Sequence, residues 1–327
     1  MKIITRMDAL YGRDVPVHPV ELASTYDLHC HTCLSDADPD QTPERVCEAA
    51  RDAGLGHLCI TDHDHVLPEA YRQELAKTYG IDLISGCEFC ATTNLNGRRT
   101  VVHIIGAWIP VDAPEVQNVL KINQGQDFEG YCKAILKKLC DLGVDLSGEG
   151  VDAGWEMLKA DNPNSFHIAR RAIGNLAVKT GHAESRDEFF DRYIGRFGER
   201  RAYVPTEDFF HYADIEDVMA AARLGLPTLC HLNYYLLPEE LNHVLVKQFK
   251  DLGGEALEVD YSKYNRIQQA ELYRDFCKPY GLLATAGSDR HTADKPFKHG
   301  DPVQFRKLRD RCRELHGKII GGADGQT

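Results

Sequence analysis

The sequence predicts an α/β fold, a parallel sheet or barrel interrupted by a helical insertion. Three observations carry that prediction. Short apolar runs alternate with stretches of helical periodicity. The span from about 114 to 200 holds helical patterns and no convincing strand. Histidines and acids recur in or just after the apolar runs, and strand ends are where sites form in such folds.

In chain order, the opening MKIITRMDALYGRDV has no apolar run of the kind an export signal needs. Tyr26–His31 reads as the first strand. Thr42-Pro43-Glu44 supplies an N-cap, a proline at the first helical position and an acid in the first turn. Val46, Ala49, Ala50 and Ala53 follow at helical spacing, and Gly54 ends the pattern. Leu58–Thr61, Asp82–Ser85 and Val101–Ile105 are short apolar runs that read as buried strands. Inside the insertion, Phe128, Tyr131, Cys132, Ile135, Leu136 and Leu139 form an apolar stripe closed by Gly143, and Ser185–Glu188 is a capping box before Phe189. Strand-like runs return at Thr228–His231, Ala256–Val259 and Leu282–Thr285. The expected organisation is a barrel built from 20–113 and 201–320, with 114–200 as a helical insertion capping the site. Gly321–Thr327 is a short polar tail.

Composition removes several classes. Of 327 residues, 43% are hydrophobic, enough for a packed core. Lys plus Arg is 38 and Asp plus Glu is 50, a formal charge of −12, which opposes a tight hold on long nucleic acid. A local arginine or a metal can still reverse the field for a small anion. No stretch approaches the roughly 20 apolar residues of a membrane helix. Eleven cysteines are scattered through apolar segments, so reduced thiols and a cytoplasmic location are expected.

The chemistry lies in six separated segments. His29 and His31 alternate in a strand and therefore share a face, a natural metal pair. Asp36 follows. Thr61-Asp62-His63-Asp64-His65 trails the second strand, Glu88 sits in Gly86–Phe89, His103 lies within a Val/Ile run, His231 follows Thr228–Cys230, and Asp289 and His291 lie in Gly287–His291. One histidine in a strand is usually held by a backbone partner. Six such segments converging without cations would carry a large desolvation and repulsion cost. The mixed donor set suits Zn, Mn or Fe. The C-x-x-C pairs Cys30/Cys33 and Cys87/Cys90 are too far apart for a zinc ribbon. Cys30, Cys87 and Cys230 neighbour proposed ligands and so face away from the pocket; the cysteines read as small core residues.

The order of these motifs resembles the PHP family, named for its polymerase and histidinol phosphatase members. The matching segments are Asp27–His31 with Asp36, Thr61–Asp64, Gly86–Glu88, Val102–Gly106, His231 and Gly287–His291. The resemblance implies a distorted (β/α)7 barrel with two or three divalent metal ions (Mn2+, Fe2+ or Zn2+) at the strand ends. His29, His31, Glu88 and Asp289 would hold the first. Glu88 would bridge to a second held by His103 and His231, and Asp36, His63 and His291 would hold a third. Phe166–Arg170 inside a helical insertion resembles the nucleotide and sugar-phosphate branch. His167, Arg170 and Arg171, read at i, i+3 and i+4 of a helix, could share a face, and His167, Arg170 and Lys121 are the expected substrate contacts.

Two segments depart from that branch: Lys121–Gln126 lacks the arginines expected after the His103 strand, and His231 is followed by Leu232, not proline. Both departures concern the substrate more than the chemistry. The implied reaction is hydrolysis of a small phosphate ester, a nucleotide or ribose phosphate or a cyclic phosphodiester, by a metal-bridging hydroxide. His63, Asp64, His65 and His231 remain open as proton donors. The alternatives are histidinol phosphate hydrolysis, exonuclease action on short oligonucleotides, and a non-enzymatic metal cluster or ligand sensor. Kinetics on histidinol phosphate against ribose phosphates separate the first, and salt-insensitive, weak binding of long strands opposes a processive nuclease.

Overall fold

The computed structural model describes residues 25–36, 38–195 and 198–317. The chain start, the polar tail and the expected barrel limits at 20 and 320 lie outside them.

Strands β1 (Tyr26–Cys30), β2 (His57–Ile60) and β3 (Asp82–Ile84) form a parallel sheet in that order. A second sheet runs β4 (Gly86–Leu95), β5 (Arg98–Ala107), β6 (Leu226–Leu229), β7 (Ala256–Tyr261) and β8 (Leu283–Gly287). Backbone bonds close the two into a barrel. On one side Asp289 N–H donates to His29 O at 2.7 Å and His31 N–H to Arg290 O at 2.9 Å. On the other, Asp64 N–H donates to Glu88 O at 3.0 Å. Each seam runs through residues of the expected site, so closing the barrel and assembling the site are one event.

The expected α/β barrel is present, but the alternation is broken at one place. β5 runs antiparallel to both β4 and β6. The cause is local: Asn96 and Gly97 both have positive φ, 53° and 89°, the conformation of a tight two-residue hairpin. Asn-Gly between strand-like runs is a strong hairpin signal that the parallel reading passed over. As a result β4 and β5 project beyond the barrel as a ribbon.

Helices α1 (Pro43–Asp52), α2 (Glu69–Tyr79) and α3 (Pro114–Gln124) come before the insertion. Thr42 caps α1 as expected, its side chain accepting from Arg45 N–H. The insertion carries α4 (Phe128–Asp141), α5 (Val151–Asp161), α6 (Arg170–Lys179) and α7 (Arg186–Phe189). All six residues of the predicted Phe128–Leu139 stripe are buried. The capping box is half made: Ser185 accepts from Glu188 N–H, while the Glu188 carboxylate turns to Glu184 N–H. After the insertion come α8 (Ile215–Ala222), α9 (Glu239–Asp251), α10 (Arg266–Leu272), α11 (Lys278–Tyr280) and α12 (Pro302–His316).

The hydrophobic cores divide the chain at points other than 114 and 200. Val116, Val119 and Leu120 of α3 pack with β4, β5 and α8 in the barrel core. The separate core of the insertion runs from Phe128 to Phe210. Polar ties lock it to the loop after β1: Asn175 and Arg186 both donate to Asp38, and Ser165 Oγ donates to Ser35 O at 2.5 Å. Among the described residues no helix is long and apolar enough to cross a membrane. The eleven cysteines are free thiols.

Asp27 organises the β1–β8 seam. Its buried carboxylate accepts from the N–H groups of His29 at 3.0 Å, Ser288 at 3.1 Å and Lys298 at 2.9 Å. Asp27→Ala strands three buried donors and is expected to lower stability by about 3 kcal/mol or more. Denaturant unfolding checks this, and a change under about 1 kcal/mol would show the seam is held otherwise.

Candidate metal centre

The first cluster forms where β1, β4 and the segment after β8 meet. Because β1 alternates, His29 and His31 both point into the barrel mouth and both are fully buried. His29 Nε2 lies 3.1 Å from Glu88 Oε2, 3.6 Å from Asp289 Oδ1 and 3.2 Å from His31 Nε2. His31 Nε2 lies 3.2 Å from Glu88 Oε2 and 3.3 Å from Asp289 Oδ1. Four donors at the corners of a tetrahedron with bonds of about 2.0–2.1 Å would stand about 3.4 Å apart. The four side chains therefore fit a divalent cation.

The second cluster uses the other oxygen of the same carboxylate. Glu88 Oε1 lies 3.0 Å from His103 Nδ1 and 2.9 Å from His231 Nε2. His103 reaches the site from the returning strand β5. His231 reaches it from just past β6, where its φ of 29° marks a strained backbone. Glu88 thus faces one imidazole set with each oxygen.

The third expected set is only partly assembled. His63 and His291 do gather with His31 as possible ligands. His63 Nδ1 lies 3.2 Å from Glu88 Oε2 without forming a hydrogen bond. His291 Nδ1 faces Asp289 O at 2.9 Å, which leaves Nε2 for the cavity. Asp36 lines the same cavity but stands outside that group, its Oδ2 3.4 Å from Arg171 Nε. The guanidinium competes for the carboxylate.

The protonation states suit ligation. Burial opposes ionisation of Glu88, yet His63, His29 and His103 outweigh it and hold its carboxyl well below the usual range. Burial pushes His63 and His291 well below the usual imidazole range, so their lone pairs are free. Burial also opposes charge on His31, but Asp289 and Glu88 lift its pKa to about 9. His29 is likewise raised by Glu88 and Glu258 against the effect of burial. Protons held there replace the positive charge that a cation supplies.

Several expectations are corrected. Asp64, an expected proton donor, has φ of 49° and turns away from the cavity. Its Oδ1 accepts from Cys90 N–H at 3.0 Å and Asn123 Nδ2 at 2.6 Å, a structural tie. His65 packs against Phe166 and does not line the cavity. Lys121 lies on the exposed face of α3, because the opposite face is the one that packs. His167 is not on a helix: α6 begins at Arg170, and His167 precedes it in extended chain. This removes the expected conflict, and His167, Arg170 and Arg171 all line the cavity.

Two residues were missed. Cys90 lines the cavity near His63 and His103, unlike Cys30, Cys87 and Cys230, whose Sγ atoms point to backbone carbonyls. The alternation that placed Glu88 inward also places Cys90 inward, two residues on. Glu258 on β7 is the other: its Oε1 lies 2.8 Å from His29 Nδ1, and its Oε2 accepts from His231 N–H at 3.0 Å. It orients a member of each cluster, which its place in a plain apolar run gave no means of reading.

These groups open into a cavity of about 300 Å³, whose far wall carries His167, Arg170 and Arg171 from the insertion and Tyr234, Tyr261 and Lys263 from the barrel. An α/β barrel that buries paired imidazole sets around one carboxylate, under a cationic wall, has the form of a metal-dependent hydrolase. The profile of the PHP domain matches residues 27–205. The chain is 34% identical to a phosphoribosyl 1,2-cyclic phosphate 1,2-diphosphodiesterase of Eggerthella lenta, over 81% of this chain and 93% of that one. It is 27% identical to a 5'-3' exoribonuclease of Haemophilus influenzae, over 83% of this chain and 91% of that one. Its fold is similar to that of an amidohydrolase from Chromobacterium violaceum, with a TM-score of 0.72 at 22% identity, covering 88% of this chain and 96% of that one. The chain belongs to the PHP family.

Gly287 allows the close approach of β8 to the first cluster. A Cβ there would fall 2.3 Å from Glu258 Oε1 and 2.4 Å from His29 Cβ. Glu258→Gln and Gly287→Ala are each expected to weaken divalent-metal binding by about 10–100-fold. Metal titration followed by calorimetry measures it; unchanged affinity in both variants would remove Glu258 from the site.

Proposed function

We propose that this PHP-family enzyme, a hydrolase of phosphoric ester bonds, cleaves a small nucleotide or ribose phosphate, either a monoester or a cyclic diester. The carrying observation is the Glu88 carboxylate, whose two oxygens face separate imidazole sets at 2.9–3.2 Å. That arrangement fits two cations side by side. His29, His31 and Asp289 would hold one and His103 and His231 the other, with Glu88 between them and His63 and His291 available to a third. When bound, Mn2+, Fe2+ or Zn2+ would supply a water acidic enough to ionise near neutral pH and positive charge for the phosphoryl oxygens.

The remaining work falls to the chain. Arg170, Arg171 and Lys263 line the cavity opposite the clusters and are placed to hold non-bridging phosphoryl oxygens. Tyr261 O–H donates to Asp289 Oδ2 at 2.6 Å, which fixes that carboxylate toward His31. His63 and His231 have their lone pairs committed to the clusters, which leaves His167 as the cavity imidazole outside them. It faces His63 with ring centroids 5.4 Å apart and is placed to hydrogen-bond substrate. The insertion serves as the roof. The names of the relatives support the reading, since both act on phosphodiester bonds of ribose compounds.

The test is phosphate release from a panel of nucleoside monophosphates, 3′,5′-bisphosphates, ribose cyclic phosphates and histidinol phosphate. Chelator is expected to abolish release and Mn2+ to restore it. His31→Ala is expected to cut kcat/KM by about 10³-fold or more, since the metals supply several kcal/mol to the transition state. Arg170→Gln is expected to raise KM about tenfold, the loss of one charge-assisted contact. Full activity in chelator-treated, metal-free protein would overturn the reading.

A further inference from the structure

The metal cavity does not end at the insertion. A second cavity of about 190 Å³ adjoins it, and the two share Val101, Arg170, Thr206, Phe210 and Tyr235 as lining. Its outer end is formed by Arg98 and Arg99 on the projecting β4–β5 ribbon, facing Tyr203 on the insertion. Glu207 is the one acid lining it, against three arginines.

Those arginines stand out in a chain of net charge −12. Among the described residues, none of Arg98, Arg99 and Arg170 has a carboxylate partner within 4.0 Å. Arg98 and Arg99 are exposed. Arg99 Nη2 reaches only Phe210 O at 3.4 Å and His211 Nδ1 at 3.3 Å. Arg170 lies 5.7 Å from the centre of the Tyr203 ring, whose ring Arg200 also approaches at 4.1 Å. Unpaired guanidiniums fixed around a cavity are donors that lack an anion.

The strand sets the spacing. Arg99, Val101 and His103 share one face of β5, so Arg99 stands about 13 Å along the strand from the second metal cluster. A single phosphate held by the metals does not span that distance. A nucleotide chain continuing past Arg170 does, and the small volume limits it to a short one.

We propose that the Arg98–Arg99 cavity is a second anion subsite of the same active centre, which receives the phosphodiester of a nucleotide linked to the one being cleaved. The preferred substrate class is then a di- or short oligonucleotide with its terminal phosphate at the metals, not a lone mononucleotide. This rests on the phosphoesterase reading above and extends it. The ribbon that breaks the barrel alternation is the part that gives the site this reach.

The test compares adenosine 5′-monophosphate with the 5′-phosphorylated dinucleotide pApA, in metal-loaded wild type, Arg98→Gln, and Arg98→Gln/Arg99→Gln. Both binding by calorimetry and hydrolysis are measured. The expected result is tighter binding of pApA than of the mononucleotide by wild type. The double variant loses about 30-fold in pApA affinity, changes less than twofold on the mononucleotide, and shows a shallower salt dependence for pApA. The single variant falls between. Equal affinity of wild type for the two probes, or equal losses on both in the variants, overturns the subsite while leaving phosphate ester hydrolysis intact. Selective pApA binding that depends on both arginines, with no hydrolysis of either probe, upholds the subsite and overturns the phosphoesterase reading.

Discussion

The structure depends on one buried carboxylate. Glu88 is fully buried and is approached by His29, His31, His63, His103 and His231, from β1, β2's trailing loop, β5 and the end of β6. An ionised carboxylate in such a place is sustained only by positive charge around it. Imidazoles can provide that charge by taking protons, but only as far as their own burial permits. Divalent cations provide it without that conflict, and every donor atom is already at a suitable separation. The fold brings together groups that would repel or desolvate one another at considerable cost unless cations join them.

The surrounding carboxylates each carry out a distinct task. Asp27 gathers backbone N–H groups from β1 and the chain after β8, which sets the seam beside His29 and Asp289. Glu258 aligns His29 through its Nδ1 and holds the strained turn at His231. Asp62 binds Thr32 and Ser35 and so shapes the loop that carries Asp36. Positive φ values at Asp64, His231 and Asp289 place strain, of order 1–3 kcal/mol each, where the strands end and the site begins. Barrel closure and site geometry are therefore stabilised by the same bonds.

Much of this was legible in the sequence because it follows from strand alternation and local caps. His29 and His31 share a face for the same reason that Cys30 does not. Thr42 caps its helix, and the Phe128–Leu139 stripe is buried as its spacing requires. What was not legible depended on relations between distant segments. Glu258 looks like one acid in a strand until β1 is packed beside it. Asp36 and Asp64 look like ligand or proton donor until Arg171 and Asn123 are found to occupy them. The helix start at Arg170, three residues later than periodicity suggested, freed His167 to face the cavity. The Asn96-Gly97 hairpin was present in the sequence and simply outweighed by the parallel pattern.

The central claim is that Glu88 stands between two cations. Anomalous diffraction from crystals grown with Mn2+ tests it most directly. The account predicts two peaks, each about 2.0–2.2 Å from a different oxygen of Glu88, one beside His29, His31 and Asp289 and the other beside His103 and His231. Peaks located elsewhere, or a Glu88 carboxylate that contacts no metal in the Mn2+-soaked crystal, would contradict it.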